Sequence, residues 1–136
     1  MSLIDDFESR FRLGIPAMDR AHLELVELLN RMDRATDANF AYLFYVLIQH
    51  TRAHFATEEV LMRATNCPGS QPHRDEHARV LDEMERLGAR LRHGRLALAR
   101  AYVREQLPSW FERHARLMDS PLAEHLRCPR RVTATA

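Results

Sequence analysis

The sequence predicts an all-α protein, an up-down-up-down antiparallel four-helix bundle with an N-terminal arm and a short C-terminal extension. Three observations support this fold class. Apolar residues recur at steps of three and four, which is the period of a helix with one buried face. Glycine and proline are few, with 4 and 6 among 136 residues, and they fall mostly between the periodic segments. The connections between these segments are short, which favours antiparallel neighbours.

A chain of 136 residues fits one domain, with an arm over 1–18, a bundle over about 19–118 and an extension with a flexible tail over 119–136. The arm carries Phe7 and Phe11. Asp19 is the predicted N-cap of the first helix, which is expected to end near Asp37. The buried stripe of this helix comprises His22, Leu25, Leu29 and Met32.

The second and third helices are separated by a loop that contains several helix breakers, residues 66–70. Asn39 is the predicted cap of the second helix, and Ser70 begins the third, which stops at His93-Gly94. The stripe of the second helix is Leu43, Leu47, His50, His54, Glu58, Leu61 and Met62, and that of the third is His73, His77, Val80, Met84, Leu87 and Leu91.

The fourth helix is predicted to run from about Arg95 and to be kinked at Pro108, because proline lacks an N–H and clashes with the preceding turn. After Pro121 we expect at most one short helical turn. Its inward-facing residues are Leu96, Ala99, Val103, Leu107, Trp110, His114 and Leu117.

The composition excludes several classes of protein. Lys+Arg 20 and Asp+Glu 19 give a formal net charge of +1, and the charges are interspersed, so no basic surface for nucleic acid or an anionic membrane is predicted. No segment approaches the ~20 apolar residues of a membrane span, and no secretory signal is present, so we expect a cytoplasmic protein. Cys67 and Cys128 are expected to be free thiols.

Eight histidines are unusual for this length, and five of them lie on core-facing stripes, where a buried imidazole needs a partner. Two pairs have a spacing of four, His54 with Glu58 and His73 with His77. On a helix this spacing leaves two side chains about 40° apart and one turn along the axis, so each pair can face one metal region.

His114 and Asp119 have a spacing of five, about 140° on an ideal helix, so Asp119 is expected where the fourth helix ends. In an alternating bundle, the start of the first and third helices and the end of the second and fourth are the same end. Side chains of the metal-binding type therefore converge there, namely His22, His54, Glu58, His73, His77, His114 and Asp119.

The alternative is a purely structural role. A lone histidine on an apolar stripe, such as His22 or His114, is more often a core residue than a ligand. Glu58 argues against that role for the whole set, because a buried carboxylate without partners costs several kcal/mol in a domain whose stability is ~5–15 kcal/mol. Imidazole suits iron, zinc, copper and nickel, and seven ligands exceed one zinc tetrahedron, so two bridged metal ions are predicted.

These residues resemble a known family, the hemerythrins, and in particular the single-domain bacteriohemerythrins. The likeness covers about residues 11–122. It is carried by the run from Gly14 to His22, by His54-Phe55, Glu58-Glu59 and Met62, by His73 and His77, and by Trp110, His114 and Asp119.

The resemblance implies a non-haem centre of two iron ions, bridged by an oxo or hydroxo group, that binds dioxygen reversibly. One iron takes three histidines and the other takes two, which leaves the second iron with an open position. By matching positions, the first set is His73, His77 and His114, the second is His22 and His54, and Glu58 and Asp119 bridge both irons.

Dioxygen binding of this kind needs a dry apolar pocket, and the candidates for its wall are Phe55, Trp110, Leu25, Leu29 and Ala115. Ala115 stands where the family commonly has a larger aliphatic residue. A smaller side chain there predicts a pocket more open to solvent, which favours autoxidation over stable oxygenation.

Three histidines are not assigned as ligands. His50 lies one turn before His54 and is interpreted as a hydrogen-bond partner behind the ligands, a proton path or a core histidine, of which the last is preferred. His93 is expected at a helix C-terminus and His125 at the surface.

The leading functional hypothesis is a dioxygen-binding protein, not an enzyme, for storage, delivery or sensing, with an oxygen-using enzyme or a reductase as a partner. Storage or delivery is preferred because no output module is fused to the domain. The alternative is a di-iron peroxidase or oxidase that uses the same centre with a positioned acid or base, for which His50 is the candidate. Iron storage ranks last, because ferritin-like sites use mainly glutamates with a Glu-x-x-His motif.

Overall fold

The computed structural model describes residues 3–127, and within this range every regular element is a helix. The arm contains a short helix, α1 (Phe7–Arg10). Three long helices follow, α2 (Pro16–Asp33), α3 (Asp37–Ala64) and α4 (Ser70–Leu91). The predicted helical bundle is confirmed. None of the helices in the described range is long and apolar enough to cross a membrane.

The fourth long helix, residues 97–127, departs twice from the α-helical hydrogen-bonding pattern. In its two π-helical segments the bonds run from residue i to i+5, which widens the turn. Its consecutive segments are α5 (Ala97–Ala101), π1 (Tyr102–Gln106), α6 (Leu107–His114), π2 (Ala115–Asp119) and α7 (Ser120–Arg127).

The first long helix, α2, begins at Pro16, three residues before the predicted N-cap Asp19. Ile15 is the N-cap and Pro16 occupies the first turn, where its missing N–H is not needed. Asp19 does not cap the helix; its carboxylate accepts hydrogen bonds from the backbone N–H groups of Leu13 (2.6 Å) and Gly14 (3.0 Å). Asp19 therefore fixes the arm against α2. The helix ends at Asp33 and not near Asp37.

The second long helix, α3, is capped by Thr36, and the prediction of Asn39 as its N-cap was wrong. The Thr36 hydroxyl accepts a hydrogen bond from the Asn39 backbone N–H at 3.3 Å, so Asn39 is already inside the first turn. The predicted start of the third helix at Ser70 is confirmed, and Gly69, with φ +78°, makes the preceding turn. That helix ends at Leu91, three residues before Gly94.

The irregularity predicted at Pro108 takes the form of the widened turn π1, which ends two residues before the proline. The expectation of at most one turn after Pro121 was wrong, because α7 continues to Arg127. Leu117, predicted to face inward, is 59% exposed, since the wide turn π2 rotates the helix away from the regular period. The tail from 128 onward, with Cys128, lies outside the described residues.

Apolar side chains from all four long helices fill the bundle. The arm adds Phe11, whose ring stacks on Phe111 with centroids 4.4 Å apart. A second, smaller apolar cluster comprises Met18, Met62, Leu122 and Ala123. Met18 and Met62 each lie one helical turn beyond a residue of the predicted metal set, on the side nearer the end of the bundle. The set thus lies between two apolar regions.

Candidate metal centre

The seven side chains predicted as ligands come together in the structure. We call them the metal cluster. All seven are buried, with exposed fractions between 0% and 8%. α2 and α4 contribute from their first two turns, while α3 and the fourth long helix contribute from positions towards their C-terminal ends. This arrangement is the one that an alternating bundle produces.

The metal cluster divides into two groups whose potential ligand atoms lie within 4.8 Å of one another. The groups differ in their number of imidazoles and share both carboxylates. One consists of Glu58, His73, His77, His114 and Asp119, and the other of His22, His54, Glu58 and Asp119.

Glu58 reaches three imidazoles from two helices. Its Oε2 lies 2.5 Å from His54 Nε2, one turn earlier on α3. Its Oε1 lies 3.2 Å from His73 Nε2 and 3.3 Å from His77 Nε2. The two oxygens of one carboxylate thus face different groups.

Asp119 has the same arrangement from the opposite side. Its Oδ2 lies 3.0 Å from His22 Nε2, and its Oδ1 lies 3.0 Å from His73 Nε2 and 3.1 Å from His114 Nε2. The last contact depends on π2, because a π-helical turn brings residues i and i+5 onto one face. The sequence prediction that Asp119 marks the end of the helix was therefore wrong.

The contacts within the metal cluster leave several atoms without hydrogen-bond partners. Among residues 3–127, Glu58 Oε1 and His77 Nε2 have none, although they are close together. His73 Nε2 and His114 Nε2 lie 3.2 Å apart, so two ring nitrogens face each other. Converging lone pairs in a buried site are the arrangement that a cation satisfies. Nitrogen and oxygen donors of this kind fit iron.

Groups behind the metal cluster orient two of its rings. His77 Nδ1 lies 2.9 Å from Glu59 Oε2, and His22 Nδ1 lies 3.1 Å from the Phe11 carbonyl oxygen. A carboxylate and a carbonyl can only accept, so each Nδ1 carries the proton. Both Nε2 atoms are therefore free to bind a cation, which is how ligating histidines are usually oriented.

The charges of the metal cluster are mutually stabilising. Burial and the charge of Asp119 would raise the pKa of Glu58, but its close contacts with three histidines lower it to about 2. Burial would lower the pKa of His73, but Asp119 and Glu58 raise it to about 9. Burial would raise the pKa of Asp119, but contacts with His114, His22 and His73 hold it well below its usual range. Both carboxylates are thus ionised at neutral pH.

A narrow, largely closed cavity, the inner pocket, lies against the metal cluster. It is lined by Leu25, His50, Thr51, His54, Phe55, Met84, Leu107, Trp110, Phe111, His114 and Asp119. Phe55 also stacks on the His77 ring at 3.7 Å, and Trp110 on the His114 ring at 4.6 Å.

Among the predicted pocket residues, Leu25, Phe55 and Trp110 line the inner pocket. Leu29 and Ala115 are fully buried in the described core but outside this lining. Ala115 has no exposed surface, so its small side chain does not open the pocket to solvent at that position.

A second cavity, the outer cleft, opens from the surface between α2 and α3 and reaches the metal cluster. It measures about 190 Å³ and is lined by Ala17, Met18, Ala21, Glu24, His50, Ala53, His54, Thr57 and Glu58. His50 borders both cavities. Its Nε2–H donates to the Ala21 carbonyl oxygen at 3.2 Å, and burial lowers its pKa, so the ring is neutral.

The remaining histidines and the described cysteine lie outside the metal cluster. His125, predicted at the surface, is buried, and its Nε2–H donates to the Thr65 carbonyl oxygen at 2.9 Å. The prediction was wrong because α7 extends past the expected end of the chain's helical part. His93 is exposed just after α4. Cys67 is a half-buried free thiol within the described range, as expected.

Three polar residues that the structure places beside the metal cluster were assigned no role from the sequence. Glu59 accepts from His77, Glu76 accepts from the Trp110 indole N–H at 2.6 Å, and Thr51 lines the inner pocket. Glu59 directly follows Glu58 in the sequence, and this position could have suggested a supporting role. Thr51 lies at i−4 from Phe55, so helical periodicity places it on the same face.

A helical bundle with buried imidazoles and carboxylates at one end defines a metal-binding bundle protein. The chain matches the family model of the hemerythrin HHE cation binding domain over residues 13–126. It therefore belongs to the hemerythrin family, which confirms the resemblance found in the sequence. It is 38% identical over 107 residues to a bacteriohemerythrin of Ralstonia nicotianae, a match that covers 79% of this chain and 77% of that protein. No solved structure matches the chain.

Proposed function

We propose that this protein binds dioxygen reversibly at a non-haem di-iron centre, for oxygen storage, delivery or sensing. The observation that carries the proposal is the division of the metal cluster into two groups that share both carboxylates. Membership of the hemerythrin family and the likeness to a bacteriohemerythrin support it.

In this proposal, the two groups of the metal cluster would hold one iron each. The first iron would be held by His73, His77 and His114 and the second by His22 and His54, with Glu58 and Asp119 serving both groups. The iron pair would supply the two electrons and the coordination position that holding dioxygen requires. The group with only two imidazoles is the one with room for a further ligand.

The protein's own contribution is a controlled environment. The inner pocket borders His54, which belongs to the group with two imidazoles, and most of its lining is apolar or aromatic. Apolar walls admit dioxygen while they disfavour water and charged reductants. Glu59 and the Phe11 carbonyl hold the rings of His77 and His22 in the orientation that ligation needs.

A di-iron oxidase or peroxidase is the second candidate, and the outer cleft is the observation that favours it. An enzyme needs a route for protons and substrate, and this cleft joins the surface to His54 and Glu58. His50 and Glu24 in its wall are groups able to move a proton along it. The dioxygen-binding role is preferred because the inner pocket is narrow and largely closed.

Iron analysis and optical spectra of the anaerobic, reduced protein test the proposal. We expect two irons per chain, a charge-transfer spectrum on exposure to air, and loss of that spectrum on purging with inert gas. Zinc or a single metal ion would contradict the di-iron centre. A spectrum that does not reverse, together with turnover of peroxide, would favour the enzyme instead.

A further inference from the structure

Thr51 has a buried hydroxyl that the metal cluster does not use. The residue is 3% exposed and lines the inner pocket, and its Oγ1 has no hydrogen-bond partner among the described residues. A buried hydroxyl without a partner destabilises the folded state, because it loses its hydrogen bonds to water. Such a group in a native protein calls for a partner from outside the chain.

Two other threonines from the same part of the chain behave differently. Thr57 Oγ1 donates to the Ala53 carbonyl oxygen at 3.0 Å, and Thr65 Oγ1 donates to the Leu61 carbonyl oxygen at 2.7 Å. This bond to the carbonyl four residues earlier is the usual solution for threonine in a helix. Thr51 does not make it, so its hydroxyl is available to the inner pocket.

The inner pocket restricts what such a partner can be. The pocket is narrow, so it admits only a molecule of a few atoms, and its walls next to Thr51 are largely apolar. His54 and His114, which also border it, direct their ring Nε2 atoms to the metal cluster. A hydroxyl can both donate and accept, and a small ligand with lone pairs would accept a hydrogen bond from it.

We propose that the Thr51 hydroxyl donates a hydrogen bond to the small ligand that the inner pocket holds. Thr51 then favours a ligand that accepts a hydrogen bond, such as azide, over an apolar molecule of the same size. The identification of the natural ligand as dioxygen rests on the proposed function. The role of Thr51 does not, because azide can test it separately.

Substitutions of nearly equal volume isolate the hydroxyl. Thr51→Val removes the donor, Thr51→Ser retains it, and Thr65→Val removes a threonine hydroxyl far from the pocket as a matched control. In the iron-loaded, oxidised protein we expect Thr51→Val to weaken azide binding about tenfold or more, as loss of a hydrogen bond to a charged ligand does. Thr51→Ser and Thr65→Val should bind azide as the wild type does.

A second measurement does not involve the loaded protein. In the metal-free protein, Thr51→Val should raise the urea midpoint of unfolding, because a methyl group replaces an unsatisfied hydroxyl. Thr65→Val should lower it, because a satisfied hydroxyl is lost. If Thr51→Val fails to fold, Thr51→Ala serves as the second variant, since it also lacks the donor.

The outcomes separate this inference from the proposed function. Wild-type azide affinity in Thr51→Val, or no azide binding to the wild type, overturns the role of Thr51. If Thr51→Val binds azide more weakly but the wild type does not bind dioxygen reversibly, the role of Thr51 is supported and the proposed function is refuted. If the wild type binds dioxygen reversibly and Thr51→Val changes neither dioxygen binding nor azide binding, the proposed function is supported and the role of Thr51 is refuted.

Discussion

Single residues of the metal cluster act on more than one neighbour, and Glu58 is the clearest example. Its two oxygens face three imidazoles, and both groups of potential ligands include it. In the proposed di-iron centre, a carboxylate in this position would balance positive charge in both groups. Loss of this one side chain therefore affects both groups.

Glu58→Ala should reduce the iron content from two per chain to one or less and should lower the thermal stability of the loaded protein, because bound metal stabilises the folded state. Iron analysis and calorimetry measure the two effects. Glu85→Ala, which removes an exposed glutamate from α4, is the matched control and should bind two irons. Full iron content in Glu58→Ala would contradict the assignment of Glu58 as a bridging ligand.

Glu59 acts on the centre through His77. Removal of its carboxylate in Glu59→Ala should weaken metal binding by about 10–100-fold, the usual cost of losing the group that orients a ligating histidine. Glu59→Gln keeps an oxygen acceptor and should lose less. Competition with a chelator measures the affinity, and wild-type affinity in Glu59→Ala would show that His77 needs no such support.

At the scale of the helix, π2 determines whether the fourth long helix can contribute two ligands. The regular period would separate His114 and Asp119 by about 140°, whereas the wider turn places both against His73. The position of Asp119 in the metal cluster thus depends on the backbone as much as on the residue type.

Insertion of one alanine after Leu117 should abolish the contribution of Asp119, because a spacing of six places it on another face of the helix. Iron content should fall below two per chain, with loss of the Asp119 contacts. An alanine inserted after Gly94, in the loop before α5, is the control and should leave two irons. Two irons in the first variant would show that the helix absorbs the insertion.

The sequence predicted the helices, their alternation and the convergence of the seven side chains, because all three follow from helical period and short loops. It did not predict π2, since a wide turn is stabilised by tertiary contacts and leaves no mark in residue composition. The wrong placement of Leu117 and the wrong end of the fourth helix have this cause. The cap at Asn39 was wrong because Thr36, three residues earlier, is an equally good cap.

At the scale of the whole molecule, the metal cluster makes the stability of the metal-free protein depend on pH in two directions. His73, whose pKa rises from 6.5 to about 9 on folding, contributes stability that is full below pH 6.5 and is lost as the pH rises through about 9. Glu58, whose pKa falls from 4.5 to about 2, contributes stability that is full above pH 4.5 and is lost as the pH falls towards 2.

We therefore expect the metal-free protein to lose stability between about pH 6.5 and pH 9 and again below about pH 4.5. Urea unfolding at a series of pH values measures this. Metal replaces the proton on His73, so the loaded protein should show a smaller loss on the alkaline side. An alkaline loss of equal size in both forms would assign it to groups outside the metal cluster.

The contact between His22 and Asp119 joins residues 97 positions apart. Closing so long a loop is slow compared with forming a helix, so the first and last ligands meet only when the final helix docks. The metal cluster is therefore completed late in folding, and a spectroscopic signal from the proposed centre would report that the whole bundle has assembled.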